Sequence, residues 1–183
     1  MNIACIEWPQ VTALAACVGV VVALVSHITS LANTRLSNSA KMVLDLVGNF
    51  DSNDMRHHRR QFAKALLDHR DGIDPSKDIP ALQFLEEVAY MTRRGVLDKG
   101  MVWNSFFWYL GYYYPAVTSG PDLLEEARRR THCTALYREI AWLYKELCRV
   151  DAREEGALHY VPPSDEDIRR FLQDESKLDG AKN

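Results

Sequence analysis

Between Val11 and Ile28 run eighteen residues with no formal charge at neutral pH, of which only Thr12, Ser26 and His27 are not plainly apolar or small. A helix rises ~1.5 Å per residue, so with its flanks this run is long enough to cross a hydrocarbon layer ~30 Å thick. The spacing predicts one transmembrane helix over residues 10–30, and with it a lipid bilayer as the first partner of the chain.

The flanks predict the orientation. Ahead of the span stands one charged side chain, Glu7, beside a Trp8-Pro9 pair that suits an interfacial anchor and a helix start. Arg35 and Lys41 follow it, and every Lys and Arg of the chain lies on that side. The positive-inside rule then puts residues 1–9 outside an inner (plasma) membrane and the rest in the cytoplasm. The rival is a cleaved signal peptide, for which Ser30-Leu31-Ala32 has the small-x-small form. Against it, the leading residues lack any Lys or Arg, and the apolar run exceeds the usual ~7–15 residues.

The residues after the span suffice for one domain with its own core. A net charge of −3 gives no basic field that would argue for nucleic acid, which is not expected as a partner. Cys5 falls outside, Cys17 in the membrane, and Cys133 and Cys148 in the soluble part. No C-x-x-C or zinc spacing links them, so reduced, buried thiols are expected.

Beyond the span the periodicity is helical throughout, and no segment alternates with a period of two. Leu36, Ala40, Val43 and Val47 predict a juxtamembrane helix within residues 31–52, ended by Gly48. A helix follows from Asn53 to about Arg70, capped by Ser52 or Asn53, with Phe62, Ala65 and Leu66 inward and Gly72 beyond its end, before a loop at Asp74-Pro75-Ser76. Another runs from Ile79 to Arg94, opened by Asp78 and Pro80, closed by Gly95 and lined by Leu82, Leu85, Ala89 and Thr92. Asp98 caps a fourth over Lys99 to Tyr114, which Pro115 is expected to stop. Ser119-Gly120-Pro121-Asp122 then launches the longest predicted helix, to about Arg153, with a seam of Cys133, Leu136, Ile140, Leu143, Leu147 and Val150. Pro162-Pro163 break the chain, and Ser164 with Asp165, Glu166 and Asp167 starts a short helix carrying Ile168, Phe171 and Leu172. The expected fold is all-α: one N-terminal transmembrane helix, then a cytoplasmic helical bundle over residues 53–160, then a short helix and tail over 161–183.

Phe84-Leu85-Glu86-Glu87-Val88-Ala89, leading through Arg93-Arg94-Gly95-Val96-Leu97-Asp98 into the aromatic stretch Trp103 to Tyr114, resembles a family of small bacterial single-pass membrane proteins catalogued as a domain of unknown function. The resemblance covers roughly residues 10 to 150. It implies the anchor and the helical fold and transfers no catalytic residue.

Four constellations are candidates for function. Ala15, Gly19 and Ala23, spaced by four, form a ridge that would let two spans approach closely, or belong to an inert anchor. Trp103, Phe106, Phe107, Trp108, Tyr109, Tyr112, Tyr113 and Tyr114 occupy every face of one helix, as in the centre of a bundle or in an aromatic surface that meets a partner or headgroups. Arg56-His57-His58-Arg59-Arg60 reads as a solvated cationic face, with anionic headgroups or RNA as alternatives. Adjacent histidines point about 100° apart and do not make the i, i+4 pair that a metal needs. Glu86, Glu87, Arg93, Arg94, Arg128 to Arg130 and His132 read as caps and surface pairs.

One enzymatic pattern stands apart. Arg153 and His159 fit the loose Arg-x(4–6)-His spacing of higher-eukaryote-and-prokaryote nucleotide-binding ribonucleases, which are dimeric helical bundles. Gly156 interrupts the helix that such a motif needs, and Glu154 stands where that family has a polar residue. No Gly-rich phosphate loop, Ser-His-Asp set, H-E-x-x-H or metal-ligand cluster is present, so no catalytic, cofactor or metal residue is assigned. The expected protein is a membrane-anchored scaffold or accessory subunit, self-associating through Ala15, Gly19 and Ala23 and meeting a further protein partner. The rival is an oligomeric membrane effector, either pore-forming or of the ribonuclease type just named.

Overall fold

A computed structural model of the chain describes the backbone of residues 8–68, 73–74, 79–119 and 122–178, with side chains from residue 19 onward. Cys5, Glu7, Gly72, Pro75, Ser76, Asp78, Gly120 and Pro121, and the side chains of Ala15 and Cys17, lie outside the described residues. The fold is all-helical: α1 (Trp8–Phe50), α2 (Asn53–Leu67), α3 (Pro80–Arg93), α4 (Lys99–Thr118), α5 (Leu123–Thr131), α6 (Arg138–Glu154) and α7 (Asp165–Glu175), with no strand among the described residues. Two compact units divide the chain, residues 1–38 and 39–183.

In the first unit, α1 is long and apolar enough to cross a membrane. Every described side chain there is exposed; Val20, Val21, Val22, Leu24 and Val25 each show between 55% and 60% of their surface. None of the described residues covers these side chains. Two hydroxyls of this stretch bond back to the carbonyls of the helix itself. Thr29 Oγ1 lies 3.0 Å from the carbonyls of both Val25 and Ser26, and Thr34 donates to Ser30 O at 2.9 Å.

In the second unit, α6 packs on α3 and α4, α2 on α3 and α7, and α7 also on α4. Phe50, Leu82, Leu85, Val88, Phe106, Leu110, Tyr113, Ile140, Leu143 and Leu147 are fully buried, each apolar side chain contributing ~1.5–3 kcal/mol by leaving water. Side chains fix the helix starts. Ser52 accepts from Met55 N at 3.3 Å, Asp98 from Met101 N at 3.0 Å, and Asp122 from Leu124 N and Glu125 N at 2.9 and 3.1 Å. Ser164 and Asp167 form a reciprocal capping box on α7. Gly95, at φ +70°, ends α3 in the left-handed turn that glycine adopts without strain.

Three expected boundaries move. Gly48 lies inside α1, which continues to Phe50, where the ring anchors in the core; one glycine costs a helix only about 1 kcal/mol. Pro115 lies inside α4, which runs on to Thr118. The last turn is held by Ser119, whose N–H and hydroxyl both donate to Pro115 O at 2.8 and 2.7 Å. The long predicted helix is two, because α5 ends at Thr131 with His132 in the left-handed conformation, φ 54°, and α6 restarts after Tyr137, also at φ 54°. Cys133 falls in this turn and is exposed, while Cys148 is half-buried, so the expected burial of the thiols holds for neither in full. Of the juxtamembrane stripe, Val43 is buried, Ala40 and Val47 are half-buried and Leu36 is exposed.

Candidate functional site

A buried charge centre joins α2, α4 and α7. Arg59 follows the α2 core register, three and four residues ahead of Phe62 and Ala63, and is 2% exposed. Its guanidinium lies 4.3 Å from the centre of the Phe50 ring and 4.6 Å from that of Tyr109. It donates from Nε and Nη2 to the two oxygens of Glu175 at 2.8 and 2.6 Å, and from Nη1 to Phe50 O at 3.1 Å and Asp51 Oδ1 at 3.2 Å. Tyr113 Oη donates to Glu175 Oε2 at 2.7 Å. Burial by itself would lower the Arg59 pKa, but the Glu175 carboxylate outweighs it and holds the guanidinium above its ordinary value. Burial and the same carboxylate push the Tyr113 phenol well above its usual range, so it stays a donor.

The expected cationic face is therefore split. Arg59 is a core residue, while His57 and His58 are exposed and Arg56 and Arg60 are partly covered. His57 contacts Arg60 and Gln61 at 3.3 and 3.1 Å. The signal for the centre is in the register: Arg59 and Glu175 each stand on the apolar stripe of an amphipathic helix, where a charge is kept only if it is paired.

The aromatic helix α4 divides by face. Phe106 and Tyr113 are buried, Phe106 near the Phe50 and Phe84 rings and Tyr113 stacked on Phe62. Trp103 Nε1 donates to Asp151 at 3.2 Å, and Tyr114 stacks on Tyr144 at 4.3 Å between centroids. Trp108 is 62% exposed, lying against Tyr112 and within 6.5 Å of Phe171. The connection from α6 to α7 crosses near this face. Tyr160 contacts Phe107 and Tyr144, and its hydroxyl would stand in ordinary contact, 3.4 Å, from a Cβ at Gly111. Leu158 and Val161 on either side are exposed.

The acid-base residues hold the fold. Glu86 of α3 accepts from Glu139 N at 3.1 Å and Ile140 N at 2.8 Å, capping α6 where Tyr137 supplies no side-chain cap. Burial raises its pKa, and the two N–H groups partly offset that. Arg128 closes the same turn from the other side, donating to Leu136 O and Tyr137 O at 2.8 and 3.2 Å. Arg93 pairs with Glu139 at 2.8 Å, Arg94 lies over Tyr90, and Arg129 and Arg130 each bind Glu126 at 2.5 Å. Glu87 is exposed, as is His132.

Around Cys148, burial pushes the thiol up to about 11 and the Tyr160 phenol up to about 12, which leaves both protonated and unreactive at neutral pH. Arg153 lies exposed in the last turn of α6, beside Glu154; Gly156, at φ +65°, follows the end of the helix, and His159 lies on the exposed connection beyond. No helix joins the two. Among the described residues, no three His, Cys, Asp or Glu side chains gather as a metal site. On the span, a Cβ at Gly19 would meet nothing within 4 Å. Comparison with protein-family models, with curated proteins and with solved structures finds no match to this chain.

Proposed function

We propose that the chain is a membrane-tethered helical scaffold that acts by contact, its N-terminus outside and its bundle in the cytoplasm. The carrying observation is the contrast between its polar and apolar groups. The polar clusters of the bundle are consumed in structural pairs, Arg59 with Glu175, Glu86 on the α6 N-terminus, and Lys99 with Glu146 at 2.5 Å, while an apolar helix and Trp108 stay uncovered. Groups held in such pairs hold helices together and are not poised for proton transfer.

The scaffold self-associates through the span. Ala15, Gly19, Ala23, Ser26 and Ser30 follow one another at four- and three-residue steps, a seam of small side chains along the span. That period is the one by which two helices pack along a shallow left-handed crossing, and small residues let their backbones close up in lipid.

The test is mass measurement of the intact protein extracted in mild detergent, with identification of whatever co-purifies. The scaffold reading expects a homo-oligomer carrying a stoichiometric partner. A lone monomer that is released from membranes by alkaline washing contradicts it.

A further inference from the structure

Not every guanidinium donor of the bundle is spent in the pairs that hold its helices together. Where α5 turns into α6, Glu125, Arg128, Arg129, Thr134, Arg138 and Ala141 line an open groove of about 420 Å³, within the roughly 300–1,000 Å³ range of small-molecule sites. Three guanidiniums line it against one carboxylate. Arg128, 19% exposed, is fixed by the turn: its Nε and Nη2 donate to Leu136 O and Tyr137 O, which leaves Nη1 for Glu125 at 3.1 Å. Arg129 and Arg138 are exposed. Each binds a neighbouring glutamate through Nε and Nη2, Arg129 to Glu126 at 2.9 and 2.5 Å and Arg138 to Glu139 at 3.4 and 3.3 Å. The Nη1 of each meets no acceptor among the described residues, and the hydroxyl and backbone N–H of Thr134 likewise meet none.

We propose that this groove binds a phosphate monoester. The donor set decides the class of ligand. The Glu125 carboxylate reaches Arg128 and leaves the Nη1 donors of Arg129 and Arg138 open. A phosphate monoester carries about −1.5 to −2 charges at neutral pH on three acceptor oxygens, enough to take a donor from each of the three guanidiniums at once. Guanidinium is always charged, and its planar fork matches phosphate geometry. Ala141 is the one apolar residue of the lining, which includes no aromatic ring. The groove therefore offers no stacking platform for a base and no slot for an acyl chain: it recognises the phosphate, and the rest of the molecule stays outside. Glu125 is an internal stand-in for that anion. It is 70% exposed and held by a single surface pair with the residue three positions on, a kind of contact that contributes little, so the ligand displaces it from Arg128.

The test is calorimetric titration of the full-length protein in mild detergent with phenyl phosphate, compared with benzoate at equal ionic strength. The expected result is saturable one-site binding of phenyl phosphate and at least tenfold weaker binding of benzoate. Arg129→Ala and Arg138→Ala, both on the surface, should each weaken phenyl phosphate severalfold at unchanged melting temperature. Glu125→Gln, which removes the competing carboxylate, should tighten it severalfold. Arg170→Ala, which removes an exposed arginine from α7, should change nothing. The same titration in phosphatidylcholine nanodiscs with and without phosphatidic acid separates the two sources of the ester: competition by that lipid assigns the groove to a headgroup phosphate, and unchanged binding assigns it to a soluble one. A wild type that does not bind phenyl phosphate, benzoate that binds as well, or an affinity indifferent to Arg129, Arg138 and Glu125 overturns the site. None of these outcomes touches the scaffold reading, which rests on other parts of the chain.

Discussion

Arg59 and Glu175, separated by 116 positions in the chain, meet in the interior through two parallel hydrogen bonds of 2.8 and 2.6 Å. Removing one partner strands the other's charge. Arg59→Leu or Glu175→Leu should each cost ~3–5 kcal/mol, whereas replacing both with Leu should cost well under the sum, because no buried charge is then left alone. Thermal melting of the four proteins followed by helical circular dichroism checks the non-additivity.

Glu86 makes the acid-range stability depend on the start of α6. Its pKa is raised by burial above the ordinary 4.5, so the folded state holds its proton more firmly than the unfolded chain does. The contribution is fully present below that ordinary value and is lost as pH rises through the raised one. Relative to Glu86→Gln, the wild type should therefore gain stability as pH falls across this window. Glu86→Ala should cost about 1 kcal/mol at neutral pH from the lost cap. Denaturation midpoints measured across acid pH decide both.

Trp108 and Phe106 separate surface from core on the same helix. Phe106, 1% exposed, should cost ~3–5 kcal/mol when cut to Ala, while Trp108→Ala should cost under about 1 kcal/mol. If Trp108 meets the partner, Trp108→Ala should lose the co-purifying protein at unchanged melting temperature.

The helical fold was legible because four of the helix starts carry their own signal: Ser52, Asp98, Asp122 and Ser164 all cap as their side chains dictate. What misled was local periodicity where long-range contacts decide. The seam from Cys133 to Val150 keeps its spacing across a turn, but Glu86 and Arg128 supply donors and acceptors that let α5 stop and α6 restart. Pro115 failed as a stop because Ser119 holds the turn that follows it. The buried Arg59 was hidden among four other cationic or titratable neighbours, and its register with Phe62 and Ala63 was the one sign that it turns inward. The partners of a buried charge lie far off in sequence, so period alone cannot name them.

The proposed orientation rests on Arg35 and Lys41 against residues 1–10, which hold no Lys or Arg. A reporter fused at Asn183 should be active only in the cytoplasm. Activity on the other face of the membrane, or a mature N-terminus at Asn33, removes the proposed topology.

The scaffold account depends most directly on whether copies meet through the span. Gly19→Ile adds a branched side chain where the backbones would close up, and it leaves insertion intact because Ile is well tolerated in hydrocarbon. The measurement is cross-linking of the full-length protein in native membranes at native expression. The account predicts dimers or larger species for the wild type and clearly fewer for Gly19→Ile. A wild type that stays monomeric, or a Gly19→Ile chain that cross-links as well as wild type, contradicts it.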